Sequence, residues 1–141
     1  MVWQRDVVAN DSDKTFTCPV DKLWSLFLVE GCIATTATVG NRIMTVIISD
    51  ATGAIWSTPN SGNIAASSNG QVITGAQIPV GTTATRRTDG VAGLAAVQIN
   101  HPLPSPFYMT AGQTIRVYDA AAIDAAADDM SVVLHYIEYD V

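Results

Sequence analysis

The stretch Arg42-Ile43-Met44-Thr45-Val46-Ile47-Ile48-Ser49-Asp50 decides the fold class of this chain. Its aliphatic and β-branched content favours a pleated strand. Alternation puts Ile43, Thr45, Ile47 and Ser49 on one face and Met44, Val46 and Ile48 on the other. The second face is the more apolar and is expected to look inward. Asp50-Ala51-Thr52-Gly53 then reads as a turn, because aspartate can bond its own downstream backbone and glycine accepts positive φ. Ala54-Ile55-Trp56 returns as the next strand, which makes a hairpin.

Working outward, the same signals recur. Upstream, Thr15 to Val20 begins a β-like stretch. Leu23-Trp24-Ser25-Leu26-Phe27-Leu28-Val29 has the aromatic and aliphatic content of a buried strand that continues past Gly31 into Thr35. Downstream, Ser57 to Gly70 is small and polar with two turn clusters, a long surface loop. Gln71-Val72-Ile73-Thr74 and Gln77-Ile78-Pro79-Val80 are strand pieces, and Gly81 to Gly93 is a second loop carrying Arg86 and Arg87. Leu94 to Ile99 reads as a strand, and His101 to Pro106, with three prolines, as a stiff connector. Phe107-Tyr108-Met109 and Thr114 to Tyr118 flank a turn at Ala111-Gly112. Ala120 to Asp129 is alanine-rich enough for a short helical turn, and Ser131 to Val141 closes the chain as a long strand. Many short strands with no amphipathic helix predict an all-β antiparallel sandwich with long polar loops. Residues 1–14 are expected as an N-terminal arm and 15–141 as a single domain.

Composition narrows the function classes. Charged residues are 14% of the 141, against roughly 25% in an ordinary soluble domain. Lys14 and Lys22 are the only lysines, and lysine is the residue that interface cores avoid. The expectation is an outer surface covered in part by partner subunits. The formal net charge of −6 disfavours nucleic acid, since phosphate neutralisation needs a basic surface that the pair Arg86-Arg87 does not supply. No apolar run is long enough for a membrane-spanning helix. The first residues lack a basic segment followed by an apolar one, so no secretory signal is expected.

No chemistry announces itself. Cys18 and Cys32 match neither a redox pair nor a zinc spacing, and are expected as buried thiols. His101 and His135 stand at no metal-ligand spacing. Nucleophile-elbow, metalloprotease and phosphate-loop motifs are missing from the sequence, so neither an enzyme nor a cofactor or metal is expected. Asp119, Asp124, Asp128 and Asp129 could offer oxygens to a hard cation, but lack the glycine and terminal glutamate of a calcium loop; a solvated turn is the expectation. Trp56 and Tyr108, with the 57–70 loop, form the alternative reading, a carbohydrate- or receptor-binding module.

Two stretches carry a resemblance. Val39-Gly40-Asn41-Arg42 leads into the aliphatic strand and its Asp50-Ala51-Thr52-Gly53 turn. Met109-Thr110-Ala111-Gly112-Gln113-Thr114-Ile115-Arg116-Val117-Tyr118-Asp119 precedes Asp128-Asp129-Met130-Ser131-Val132. Together they resemble small structural proteins of tailed bacteriophages, over roughly residues 23–140 with the middle loops unmatched. The resemblance implies a jelly-roll-like sandwich, made in the host cytoplasm and placed on the capsid exterior as a decoration or cement protein. Its partners would be major capsid protein or other virion subunits. A symmetric homo-oligomer is expected, a trimer at a local three-fold axis being one form. The expected contacts are Trp3 and Arg5 in the arm, the Arg86-Arg87 loop, and the aromatics Trp56 and Tyr108.

Overall fold

The computed structural model describes residues 1–75 and 97–141, and those residues are all β with no helix. Ten strands follow one another: β1 (Val2–Asp6), β2 (Asp13–Thr17), β3 (Lys22–Ala34), β4 (Met44–Asp50), β5 (Gly53–Ser57), β6 (Asn69–Gly75), β7 (Val97–Pro102), β8 (Phe107–Thr110), β9 (Thr114–Asp119) and β10 (Asp129–Asp140). They form two sheets. One has the order β1-β10-β3-β6-β7, with β8 also on β3, and the other the order β2-β9-β4-β5. The long strand β3 takes β10 along one side and holds β8 and then β6 in series along the other.

The core lies between the sheets and follows the period-two pattern. Met44, Val46 and Ile48 of β4 are fully buried, as the alternation predicted, against Ile115 and Val117 of β9. The other layer contributes Trp24, Val29 and Ile33 from β3 and Met130, Val132, Leu134 and Tyr136 from β10. Trp24 and Tyr136 pack with ring centroids 4.4 Å apart. The indole Nε1–H of Trp24 donates to Glu138 Oε2 at 2.9 Å, so the buried ring keeps its polar atom satisfied. Burial of the side chain pushes the Tyr136 phenol up from its ordinary value. Gly31 lies at the tightest approach of the two layers. A Cβ there would stand 2.8 Å from Val117 Cγ1 and 3.2 Å from Val72 Cγ1. Glycine therefore sets the separation of the sheets at that point.

Several expectations need correction. Residues 1–14 are no free arm: Val2 to Asp6 pair residue for residue with Tyr136 to Val132 of β10, and β2 begins at Asp13. The physical reason is Lys14, whose buried ammonium lies 3.1 Å from Asp6, 2.6 Å from Asp11 and 2.7 Å from the Val8 carbonyl, gathering the segment onto the sheet. Nor is the sandwich wholly antiparallel, for β7 runs parallel to β6. Residues 76–96 exceed the dozen or so positions that a parallel crossover needs. His101 and Pro102, read as connector, are the last residues of β7. The stretch after β5 is pinned rather than loose. Thr58 N and Ser61 N donate to the carbonyls of Val46 and Met44, Ile64 exchanges two backbone bonds with Arg42, and the Ile64 side chain is buried. The strand piece 77–80, the loop 81–93 with Arg86 and Arg87, and the start of the strand expected over 94–99 lie outside the described residues.

Candidate functional site

Most of the chain's sparse charge is turned to internal use. Arg42 and Asp128 are both fully buried. Arg42 Nε donates to Asp128 Oδ2 at 2.8 Å and Nη2 to Oδ1 at 3.2 Å, a bidentate pair. Its Nη1 donates to the carbonyls of Thr38 and Gly40, and Nη2 also reaches Thr36 Oγ1, so the guanidinium is bonded on all sides. Hydrogen bonding to Asp128 holds Arg42 above the usual guanidinium value. The arrangement staples the 35–42 loop to the turns between β9 and β10.

The acidic cluster dissolves into four separate structural roles. Asp119 Oδ1 accepts from the backbone N–H groups of Ile43 and Ala121. Asp124 Oδ2 accepts from the hydroxyls of Thr36 and Thr38, which hold its carboxyl below the usual value. Asp128 takes Arg42 and also Thr36 N–H, and Asp129 takes Asn10 N–H. The turns themselves close with an i→i+4 bond from Asp128 N to Asp124 O. Among the described residues no group of three or more His, Cys, Asp or Glu side chains converges as metal ligands would. Cys18 and Cys32 are buried thiols that form no disulfide with each other, and burial pushes the Cys18 thiol up.

A different region has the make-up of a binding surface. Since Met130, Val132, Leu134 and Tyr136 face the core, the alternate residues Val133, His135, Ile137 and Tyr139 face out from the six-stranded sheet. Directly opposed residues share a face, so the register writes that surface in rows. Arg5, Val133 and Glu30 stand in one row; Trp3, His135 and Leu28 in the next; Ile137, Ser25 and Tyr108 in the third; Tyr139, Leu23 and Thr110 in the fourth. Trp3 is 64% exposed, Tyr108 52% and Tyr139 45%, while Val133, Ile137, Leu28 and Leu23 are half-buried between them. Phe27, at the bulge where the β3–β10 register shifts, is exposed as well. Toward β6 the same face changes character. Glu30 is buried and its Oε1 accepts from Gln71 Nε2 at 2.5 Å, and Cys32 beside it is buried. At the far end of β1 the surface runs into a groove of about 280 Å³ between Arg5, Val7 and Val8 on one side and Ala34, Met130 and Ser131 on the other.

The structure thus brings Trp3 and Arg5 of β1 onto one sheet face with Tyr108 of β8, about a hundred residues away in sequence. It does not bring Trp56 to them. Trp56 packs against the core, 6.4 Å from the Phe107 ring and 5.8 Å from His101. Phe107 opposes core-facing Leu26 whereas Tyr108 opposes outward-facing Ser25, so Trp56 and Tyr108 serve opposite sides of β8. The aromatic pair proposed from sequence as a sugar platform is therefore not assembled. Sequence reasoning missed Tyr139, Ile137 and His135; the period-two alternation of β10 was the signal that could have found them.

No protein-family model matches the chain, and no curated protein matches it in sequence.

Proposed function

We propose that the chain is a non-enzymatic structural subunit of a tailed-bacteriophage virion, a decoration or cement protein on the capsid exterior, which adheres to neighbouring major capsid subunits through the outer face of its six-stranded sheet. The sandwich would then be a variant of the jelly roll. The observation that carries this reading is the convergence of Trp3, Tyr108, Tyr139 and Arg5 on one face with aliphatic side chains between them. Trp, Tyr and Arg are the residues that dominate binding energy at protein interfaces, and lysine is depleted there. The chain's two lysines are elsewhere: one is buried at β2 and the other is ion-paired at the start of β3.

A subunit of this kind works by burial. It adds contact area that must be broken before the shell ruptures, so the bound form of the shell is the more stable by mass action. The test is add-back of purified protein to shells lacking it. Saturable binding and a raised disruption temperature are expected. The double substitution Trp3→Ser with Tyr108→Ser should weaken binding by about tenfold or more, the loss of two interface anchors. Shells that take up none of the parent protein would reject the role.

A further inference from the structure

The four strands that end the sheets, together with β8, differ in how they are guarded. A free edge is a template for another chain, and proteins blunt it with inward-pointing charge, proline, bulges or shortness. Edge strand β2 turns Lys14 inward. Edge strand β5 begins at Gly53 and carries a register shift against β4. β7 ends in Pro102, and β8 is four residues long and preceded by Pro106. β1 has one of these devices, at its last residue only: Asp6 opposes core-facing Val132 and turns inward, where Lys14 neutralises it at 3.1 Å. The rest of the strand, Val2-Trp3-Gln4-Arg5, has no proline, glycine, lysine or bulge, and all five successive pairs with β10 are regular. Among the described residues no strand pairs with its other edge. Met1, Val2, Trp3, Val7 and Val8, all exposed, lie along and beyond it.

We propose that β1 pairs antiparallel with β1 of a second copy about a two-fold axis through Gln4, joining the two six-stranded sheets into one continuous sheet. The sequence of the strand supplies the fit. Side chains of one face must meet side chains of the same face, so the axis passes through a residue, and Gln4 is the one that uses the whole strand. Trp3 then stands across from Arg5 of the second copy, and Arg5 across from its Trp3. That gives two aromatic–guanidinium pairs on the outer face. Met1 meets Val7, an apolar pair, and Gln4 meets itself. Such an interface is isologous and closes at two copies. It stands on the edge strand alone and does not depend on the virion reading.

Sedimentation of the full chain should show a reversible dimer. Gln4→Cys places two thiols on Cα atoms about 4.5–5.5 Å apart, within disulfide reach. Mild oxidation should therefore give a covalent dimer, while Thr17→Cys, exposed on edge strand β2, stays monomeric on the same gel. Trp3→Lys sets like charges opposite each other and should weaken the dimer about tenfold or more, whereas Trp3→Glu, which can pair with Arg5 of the second copy, should weaken it less. Melting temperatures matching the parent would assign those losses to association. A chain that sediments as a monomer at every concentration, a trimer with no Gln4→Cys cross-link, or equal cross-linking of Thr17→Cys would overturn the pairing. Shell binding is no part of the readout, so a negative result here leaves the virion role to its own test.

Discussion

Replacing Asp128 by asparagine removes the counter-charge from a guanidinium that no water reaches. Asp128 accepts three hydrogen bonds, from Arg42 Nε, Arg42 Nη2 and Thr36 N, and both partners of the ion pair are fully buried. An asparagine oxygen can keep some of these bonds, but its amide nitrogen is itself a donor and must face another donor. Arg42 cannot lose its proton instead, because a guanidinium stays charged at any ordinary pH. Breaking a buried pair from one side costs about 3–5 kcal/mol. That is a large part of the ~5–15 kcal/mol by which a domain is stable. For a chain of this size it corresponds to a fall in melting temperature of roughly 10–20 °C. Urea unfolding followed by tryptophan fluorescence measures the loss directly. The companion double variant Arg42→Met with Asp128→Leu, which removes both charges together, should recover part of it. A loss below about 1 kcal/mol for Asp128→Asn, the level of a solvated pair, would refute the reasoning by showing that water screens the site.

Two further substitutions probe other supports of the same fold. The Asp124 carboxyl is held low by the Thr36 and Thr38 hydroxyls, and Asp140 by Lys22. A depressed carboxylate contributes fully above its unfolded value near ~4 and loses that contribution as pH falls through the folded value. Stability should therefore decline on acidification below about pH 4, and Asp124→Asn should make the decline shallower; an acid limb unchanged in Asp124→Asn would remove Asp124 as a contributor. Gly31→Ala forces a methyl to within 2.8 Å of Val117 Cγ1 between the sheets, and overpacking of this kind costs about 1–3 kcal/mol. A melting temperature equal to the parent's would show that the sheets separate more easily than the packing implies.

What the sequence made legible was whatever repeats with a period of two. The inward face of β4, the extent of β3 through Gly31, the Asp50–Gly53 hairpin and the closing strand all follow from local alternation and turn chemistry. The parallel β6–β7 pairing did not follow, because strand direction is fixed by how a connection closes in space and leaves no local mark. Arg42 was hidden for a related reason. At the head of an aliphatic strand it looks like a polar boundary residue, and its partner is eighty-six positions away. The candidate face was half visible. Trp3, Arg5 and Tyr108 could each be named from residue type, yet only the register of β1, β10, β3 and β8 puts them in adjacent rows.

The scarcity of charge and the character of the exposed face have one origin. Of the seven basic residues, Lys14, Lys22, Arg42 and Arg116 are each tied to a carboxylate of the same chain. Two of these, Lys14 and Arg42, are withdrawn into the interior, where they fix the start of β2 and the loop before β4. Charges spent inside cannot solvate the outside. The surface that results is carried on the small sheet by the hydroxyls of Thr15, Thr17 and Thr114 and the exposed Arg116–Asp13 pair, and on the large one by aromatic and aliphatic groups. Water solvates the hydroxyl face well; the aromatic face gains free energy by leaving water. The two sides of the sandwich are thus unequal. If a partner is to cover one of them, burial favours the side that holds Trp3, Tyr108 and Tyr139 over the threonine-rich side.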